Sequence, residues 1–237
     1  MRILFSVIAV LLLTAAGPAK DWAALFEAGK EKAGLAAAQM AADKGDLKAL
    51  NAVAWCYHLG RCDVAADPAR AAALYRQSAE KGDRDAQWQY GVMLDTADGV
   101  PLDSVAAMGW FRKAAAQGSS NAYVSMGVMY SGGRGVTRDY AKALDNYRQA
   151  ARRHNVHAFN EIGIVYFAGE GVPPDKIEGM AYFIVAASYG DAGAKERLQV
   201  LADELGEDGM RRAAVRANEL VREFNLGGKP DDNGDLT

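Results

Sequence analysis

The chain has 237 residues, 50% of them hydrophobic and 24% charged, with 27 basic against 30 acidic residues for a net charge of −3. The two signs are interspersed, and nothing resembles the clustered basic stretch that nucleic-acid binding needs, so that class is excluded. Alanine is abundant and β-branched runs are absent beyond the first nineteen positions, as expected of an all-helical chain.

Residues 1–19 stand apart. Arg2 supplies a positive start, Ile3 to Leu13 is apolar apart from Ser6, and Gly17-Pro18-Ala19 offers small residues for cleavage before Lys20. This is the pattern of a secretory signal peptide, too short for a stable membrane span. Cleavage after Ala16 is the alternative. No cysteine lies near the cleavage point to accept a lipid. The expectation is a periplasmic protein, or one secreted beyond the periplasm, with no membrane insertion after signal cleavage.

Residues 20–45 read as an N-terminal half-unit, since Ala41-Ala42-Asp43-Lys44-Gly45 resembles the close of the segments that follow. Between 46 and 190 one segment recurs four times, at 46–82, 83–118, 119–154 and 155–190. Gly82, Gly118, His154 and Gly190 are spaced 36 apart, each preceded by a small pair such as Ala114-Ala115 or Ala150-Ala151. Ala49, Ala86, Ala122 and Ala158 form a second series, followed by Gly91, Gly127 and Gly163, and then by Tyr57, Leu94, Tyr130 and Tyr166. A turn recurs at Asp98-Gly99-Val100, Arg134-Gly135-Val136 and Glu170-Gly171-Val172, with an Asp three residues after each Val. Self-similarity at this period predicts stacked helix pairs in which no unit buries its apolar face alone.

In the third segment, Asn121 is placed to cap a helix running to Ser131, and Arg138 or Asp139 to open a second ending near Arg153. At about 100° per residue, Ala122, Met126 and Tyr130 share an arc that must be core, with Gly127 beside it allowing close helix approach. Ala143, Leu144, Tyr147, Ala150 and Ala151 form the matching stripe on the second helix. After Gly190, residues 191–226 read as C-terminal capping helices. Ala194, Leu198 and Leu201 begin one, and Ala213, Ala217, Leu220, Val221 and Phe224 mark an amphipathic last one. Residues 227–237 are polar and expected to be disordered.

Cys56 and Cys62 are the two cysteines. In an oxidising compartment a nearby pair is expected to bridge, contributing roughly 2 kcal/mol by closing a short loop; the alternative is two reduced thiols. Other chemistry loses to the architecture. His154, His157 and Glu161 lack the helical continuity of a two-histidine zinc motif. His58 beside the cysteines would need a free thiol. Gly132-Gly133-Arg134-Gly135 is the repeat's own turn, and the aspartates of the tail lack the geometry of a calcium loop. No metal or cofactor is expected.

The segments resemble Sel1-like repeats, the tetratricopeptide-like units of slightly greater length. The third carries Ala122, Met126-Gly127, Tyr130, Gly133, Gly135-Val136, Asp139, Lys142-Ala143, Tyr147 and Ala150-Ala151. The second carries Trp110-Phe111 and Ala114-Ala115 to Gly118, and the fourth Tyr166, Gly169 to Val172, Tyr182-Phe183 and Gly190. Ala54 and Cys62 depart from the pattern in the first, and His154 in the third. The resemblance implies an all-α, right-handed α-solenoid of stacked antiparallel helix pairs. It also implies that the first helices line a concave groove.

Positions two, three, six and nine after each marker alanine point away from the core arc. They give Asn51, Trp55 and His58; Trp88, Gln89, Val92 and Asp95; Val124, Ser125 and Val128; and Asn160, Glu161, Ile164 and Phe167. Two tryptophans and a phenylalanine where a free helix should be polar suggest anchors for a partner; the competing expectation is that neighbouring repeats cover them. The resemblance implies a non-enzymatic protein that captures an unidentified protein partner, such as a toxin effector or an envelope sensor. Some such proteins are immunity proteins that neutralise secreted toxins, phospholipase effectors among them. The alternatives are a periplasmic regulator or assembly adaptor and, from another class, an enzyme of cell-wall or β-lactam chemistry. Alanines such as Ala79 and Ala86 stand where the cysteine-rich relatives proposed as enzymes carry paired cysteines.

Overall fold

An aspartate, asparagine or serine opens nearly every helix of this protein, and the spacing of those caps sets the spacing of the helices. The computed structural model describes residues 22–227; the expected signal peptide, and the expected tail beyond Gly227, lie outside the described residues. Eleven helices and no strand occur among the described residues: α1 (Trp22–Glu27), α2 (Glu31–Ala42), α3 (Leu47–Leu59), α4 (Pro68–Glu80), α5 (Arg84–Thr96), α6 (Ser104–Ala116), α7 (Ser120–Gly132), α8 (Tyr140–Ala151), α9 (Val156–Ala168), α10 (Lys176–Ser188) and α11 (Ala192–Glu223). The architecture is an α-solenoid of stacked helix pairs. Gly206, at φ 63° and ψ 177°, breaks α11 into two helices.

The recurring Asp after each turn is the cap of the second helix. Asp67, Asp103 and Asp139 accept from the amides of Arg70, Ala106 and Lys142. Asp175 accepts from those of Ile177 and Glu178. The amides of Asp67, Asp103, Asp139 and Asp175 also donate to the carbonyls of Tyr57, Leu94, Tyr130 and Tyr166, closing each loop. A cap of this kind contributes about 1 kcal/mol. First helices are capped by Asp46, Asp83, Ser119, Asn155 and Asp191. Ser119 therefore takes the role expected of Asn121, because the chain enters α7 two residues earlier; the Asn121 side chain instead accepts from Asn155.

The residues before these caps need a left-handed backbone, which explains the glycine series. Gly118 has φ 87°, and His154 adopts φ 62° at the matching position without the freedom of glycine. In the first repeat both Cys62 and Asp63 are left-handed, at φ 62° and 66°. Asp63, one residue before Val64, is the one that stands where later repeats carry Gly99, Gly135 and Gly171.

The described chain divides into two units, one up to Ala86 with Ala97–Pro101 and one of Gln87–Thr96 with Leu102 onward. In the first, Ala38, Ala41, Ala49 and Val53 form the core, with Trp22, Phe26, Leu35, Tyr57 and Leu74 packed around it. The second has a larger core in which Tyr147, Phe159, Phe183, Ile162 and Met180 are almost fully buried. Burying each such side chain is worth about 1.5–3 kcal/mol. The expected stripe on α8 is fully inside. On α7 the arc is rotated slightly: Met129 is fully buried, whereas Met126 and Tyr130 are part-exposed. Tyr130 sits at the corner instead, with its hydroxyl against Arg112 and Lys142 over its ring.

Candidate functional site

The fourteen expected partner-binding residues lie on the first helices α3, α5, α7 and α9, and two of them, Asp95 and Phe167, reach the second helix of their own repeat through Ser104 of α6 and Phe183 of α10. Asn160 is buried and the others are part-buried. Several are held by neighbours that the helical angle alone could not name.

In the first unit the three residues are engaged internally. The Asn51 amide donates to Asp83 at 2.8 Å, and His58 Nε2 lies 2.6 Å from Asp98. The Trp55 ring meets Phe26 edge-on at 6.3 Å and is covered by the Arg61 guanidinium at 4.9 Å. Arg61 in turn pairs with Glu31, whose second oxygen accepts from the Cys62 amide at 3.3 Å, and Lys32 pairs with Asp63 at 2.5 Å. Cys56 and Cys62 are joined in a disulfide with their Cα atoms 5.7 Å apart. The bridge sits in the turn that Glu31, at the start of α2, holds through Arg61 and the Cys62 amide, and Phe26 of α1 and the Arg61 guanidinium cover Trp55.

The second unit presents a different surface. Trp88 Nε1 donates to Ser125 Oγ at 3.1 Å, one helix tied to the next. Asp95 is buried at its carboxylate, pairs with Arg134 at 2.9 Å and accepts from Ser104. Between these polar ties runs an aliphatic row on successive first helices: Val92, Val128, Ile164 and Val200, each 36 residues from the last. Beside it runs a polar row of Gln89, Ser125, Glu161 and Arg197 with the same spacing. A third contains Trp88, Val124, Asn160 and Glu196. Arg197 donates to Asn160 Oδ1 at 3.1 Å. Burial pushes the Glu161 carboxyl above its ordinary value of 4.5, with Asp191 adding to the shift and Arg197, Tyr147 and His157 opposing it.

Where α9, α10 and the first half of α11 meet, the face opens into a cleft of about 520 Å³ lined by Ile164, Phe167, Phe183, Val200 and Leu201, with Glu196 and Arg197 at its rim. Val200 is 72% exposed. His157, at the far end of α9, pairs with Asp191 at 2.7 Å, while His154 lies in the turn before it. Among the described residues no three His, Cys, Asp or Glu side chains converge as metal ligands, and no helix is long and apolar enough to cross a membrane.

The sequence profile of the Sel1 repeat matches residues 47–83, 84–119, 120–155 and 158–191. The chain belongs to the Sel1 repeat family. A Sel1 repeat protein from Oxalobacter formigenes has a similar structure, at 29% identity over 88% of this chain and 86% of the other, with a TM-score of 0.73. A protective antigen of uropathogenic Escherichia coli is similar at 26% identity and TM-score 0.72; the match covers 81% of this chain and 41% of the antigen's length. An immunity protein of Pseudomonas aeruginosa shares the fold, at 19% identity over 87% of this chain and 77% of its own, with a TM-score of 0.55. No curated protein matches the chain.

The first half of α11 extends the Sel1 face beyond the last profile match. Asp191 and Ala194 stand 36 residues after Asn155 and Ala158, so this helix repeats the cap and core marker of a first helix. Glu196, Arg197 and Val200 thereby join the site. The expected set omitted them, although the same spacing would have found them.

Proposed function

We propose that this Sel1 repeat protein is a non-enzymatic binding protein that captures a partner polypeptide on the first-helix face of its second unit. One observation carries the reading: Val92, Val128, Ile164 and Val200 repeat on four successive first helices and end in an apolar cleft, with Val200 72% exposed. An aliphatic row that is part-buried at Val92, Val128 and Ile164 and surfaces at Val200 costs solubility unless something covers its open end. The polar ties around the row, such as Trp88 to Ser125, hold the helices in fixed register, and a fixed surface binds with less ordering entropy than a loose one.

The test is photo-crosslinking in cells that produce the protein, with benzoylphenylalanine at Val128 or Val200. Val105 is the control, since it is 70% exposed on the second helix α6. Protein adducts from the first two positions, and none from Val105, are the expected result. Adducts from Val105 alone, or none from any position, would defeat the reading.

Export belongs to the same proposal. It is supported by the charged start, apolar stretch and small-residue close of residues 1–19, and by a disulfide of the kind that oxidising compartments sustain. Periplasmic fractionation and the mass of the mature chain test it. Within this reading the narrower proposal is an immunity role, in which the captured protein is a toxin. It is supported by the fold shared with an immunity protein of Pseudomonas aeruginosa. The crosslinked adduct, sequenced by mass spectrometry, decides between a toxin and an envelope sensor or assembly component.

A further inference from the structure

The charges around the cleft are unequal once their pairings are followed. Lys176 pairs with Glu204 and leans over the Phe167 ring at 5.7 Å, so it brings no free charge. Arg197 is held by Asn160, lies 5.9 Å from the Phe183 ring, and has Glu161 as its electrostatic neighbour. Glu196 and Asp203 are exposed and enter no ion pair among the described residues. On α11, Glu196, Val200 and Asp203 are four and three residues apart and share one arc, whereas Lys195 lies about 100° round the helix. The lining thus holds Arg197, offset by Glu161, and Glu196 without an ion pair, and Asp203, also without one, stands one turn beyond the exposed Val200 on the same helical stripe.

We propose that this cleft receives an apolar side chain from a partner polypeptide segment that carries a lysine or arginine within one helical turn of it, the cation being met by Glu196 and Asp203. The inference rests on the binding role proposed above and specifies its chemistry. The two carboxylates disfavour an acidic segment and an anionic lipid surface alike, because like charges brought together at a rim suppress the wrong partner. Ile164, Phe167, Phe183 and Val200 supply the apolar lining that meets the side chain.

The probe is an immobilised array of randomised fifteen-residue peptides exposed to the full chain and to two variants, Val200→Asp and Glu196→Lys/Asp203→Lys. All three substituted positions are exposed, so unchanged helical content by circular dichroism is expected and checks folding. The parent should retain peptides enriched in an apolar residue three or four positions from Lys or Arg. Val200→Asp should lose them. The double charge reversal should weaken that class by about tenfold and turn the preference towards acidic neighbours. Retained peptides without a basic preference, or a preference unmoved by the reversal, would overturn the inference while leaving the crosslinking result, and the binding role, intact. Retention of the same peptides by Val200→Asp would also overturn it, by placing their binding elsewhere. So would an array on which nothing binds, whereas only the crosslinking experiment bears on whether the face is used at all.

Discussion

The ring of Tyr147 fills the space that a side chain at Gly127 would need: a β-carbon on Gly127 would fall 2.4 Å from Tyr147 Cε1. The same relation recurs at Gly91 with Phe111 and at Gly163 with Phe183. The missing side chain on each first helix is therefore the socket for an aromatic on the second, and that pairing sets how closely the two helices approach.

Gly127→Leu should accordingly damage the fold far more than Ser125→Leu. Tyr147 is 2% exposed and walled by the core, so it has nowhere to move. Overpacking of this kind costs about 1–3 kcal/mol or more, and a chain of this size loses roughly 2–4 °C of Tm per kcal/mol. Ser125 is part-exposed, and its replacement forfeits mainly the bond from Trp88, about 1 kcal/mol. Thermal melts that coincide for the two variants would show that the helix faces are misassigned.

Removing the disulfide should loosen one end of the molecule selectively. In Cys56→Ala/Cys62→Ala, the turn that holds Glu31 through Arg61 and the Cys62 amide loses its brace. A loss of about 2 kcal/mol is expected from the freed loop. Limited proteolysis between residues 28 and 45 should accelerate, with cleavage in α8 to α10 unchanged. Mass mapping of the parent without reductant should recover Cys56 and Cys62 in one linked peptide pair. Recovery as two free thiols would remove the premise.

Trp55 and Val200 should separate stability from binding. Trp55→Ala forfeits the edge contact with Phe26 and the cover of Arg61, together about 2 kcal/mol, and should free α1. Val200→Ser should shift stability by no more than about 0.5 kcal/mol, since the side chain is largely in solvent, yet should abolish crosslinking at Val128. The reverse pattern, in which Trp55 controls capture and Val200 does not, would move the working surface to the first unit.

Glu161→Gln should stabilise the protein in a pH-dependent way. Burial raises the folded pKa of Glu161 above its ordinary 4.5, with Asp191 adding to the shift and Arg197, Tyr147 and His157 opposing it. The folded state therefore holds this proton more tightly than the unfolded state. Its contribution to stability is fully present below the ordinary value and is lost as pH rises through the folded one. The amide never ionises, so the Tm difference in favour of the variant should be smallest near about pH 4 and grow towards neutrality. A difference that is flat across that range would mean the carboxylate is as well solvated as in the unfolded chain.

The repeats, their caps and the alternation of small and aromatic core residues were legible in the sequence. They are local: an Asp three residues before an amide, or a glycine one turn from an alanine, specifies its neighbours through helical geometry alone. The helix face on which each of Trp55, Trp88 and Phe167 stands followed from the same angle, about 100° per residue. What covers that face did not. Phe26 lies 29 residues before Trp55, Ser125 37 after Trp88, and Arg197 37 after Asn160, so whether each side chain is occupied or open depends on how one repeat stacks on the next. The same stacking buried Met129 in place of Met126 and brought Val200 to the end of the aliphatic row, whereas the α7 cap at Ser119 is local and stands at the 36-residue spacing of the other first-helix caps. Sequence alone determined which helices form and roughly which face of each is apolar, because those rest on contacts within a few residues; only the tertiary structure decided the exact arc that is buried and which faces remain open, because burial is settled by neighbours a full repeat away.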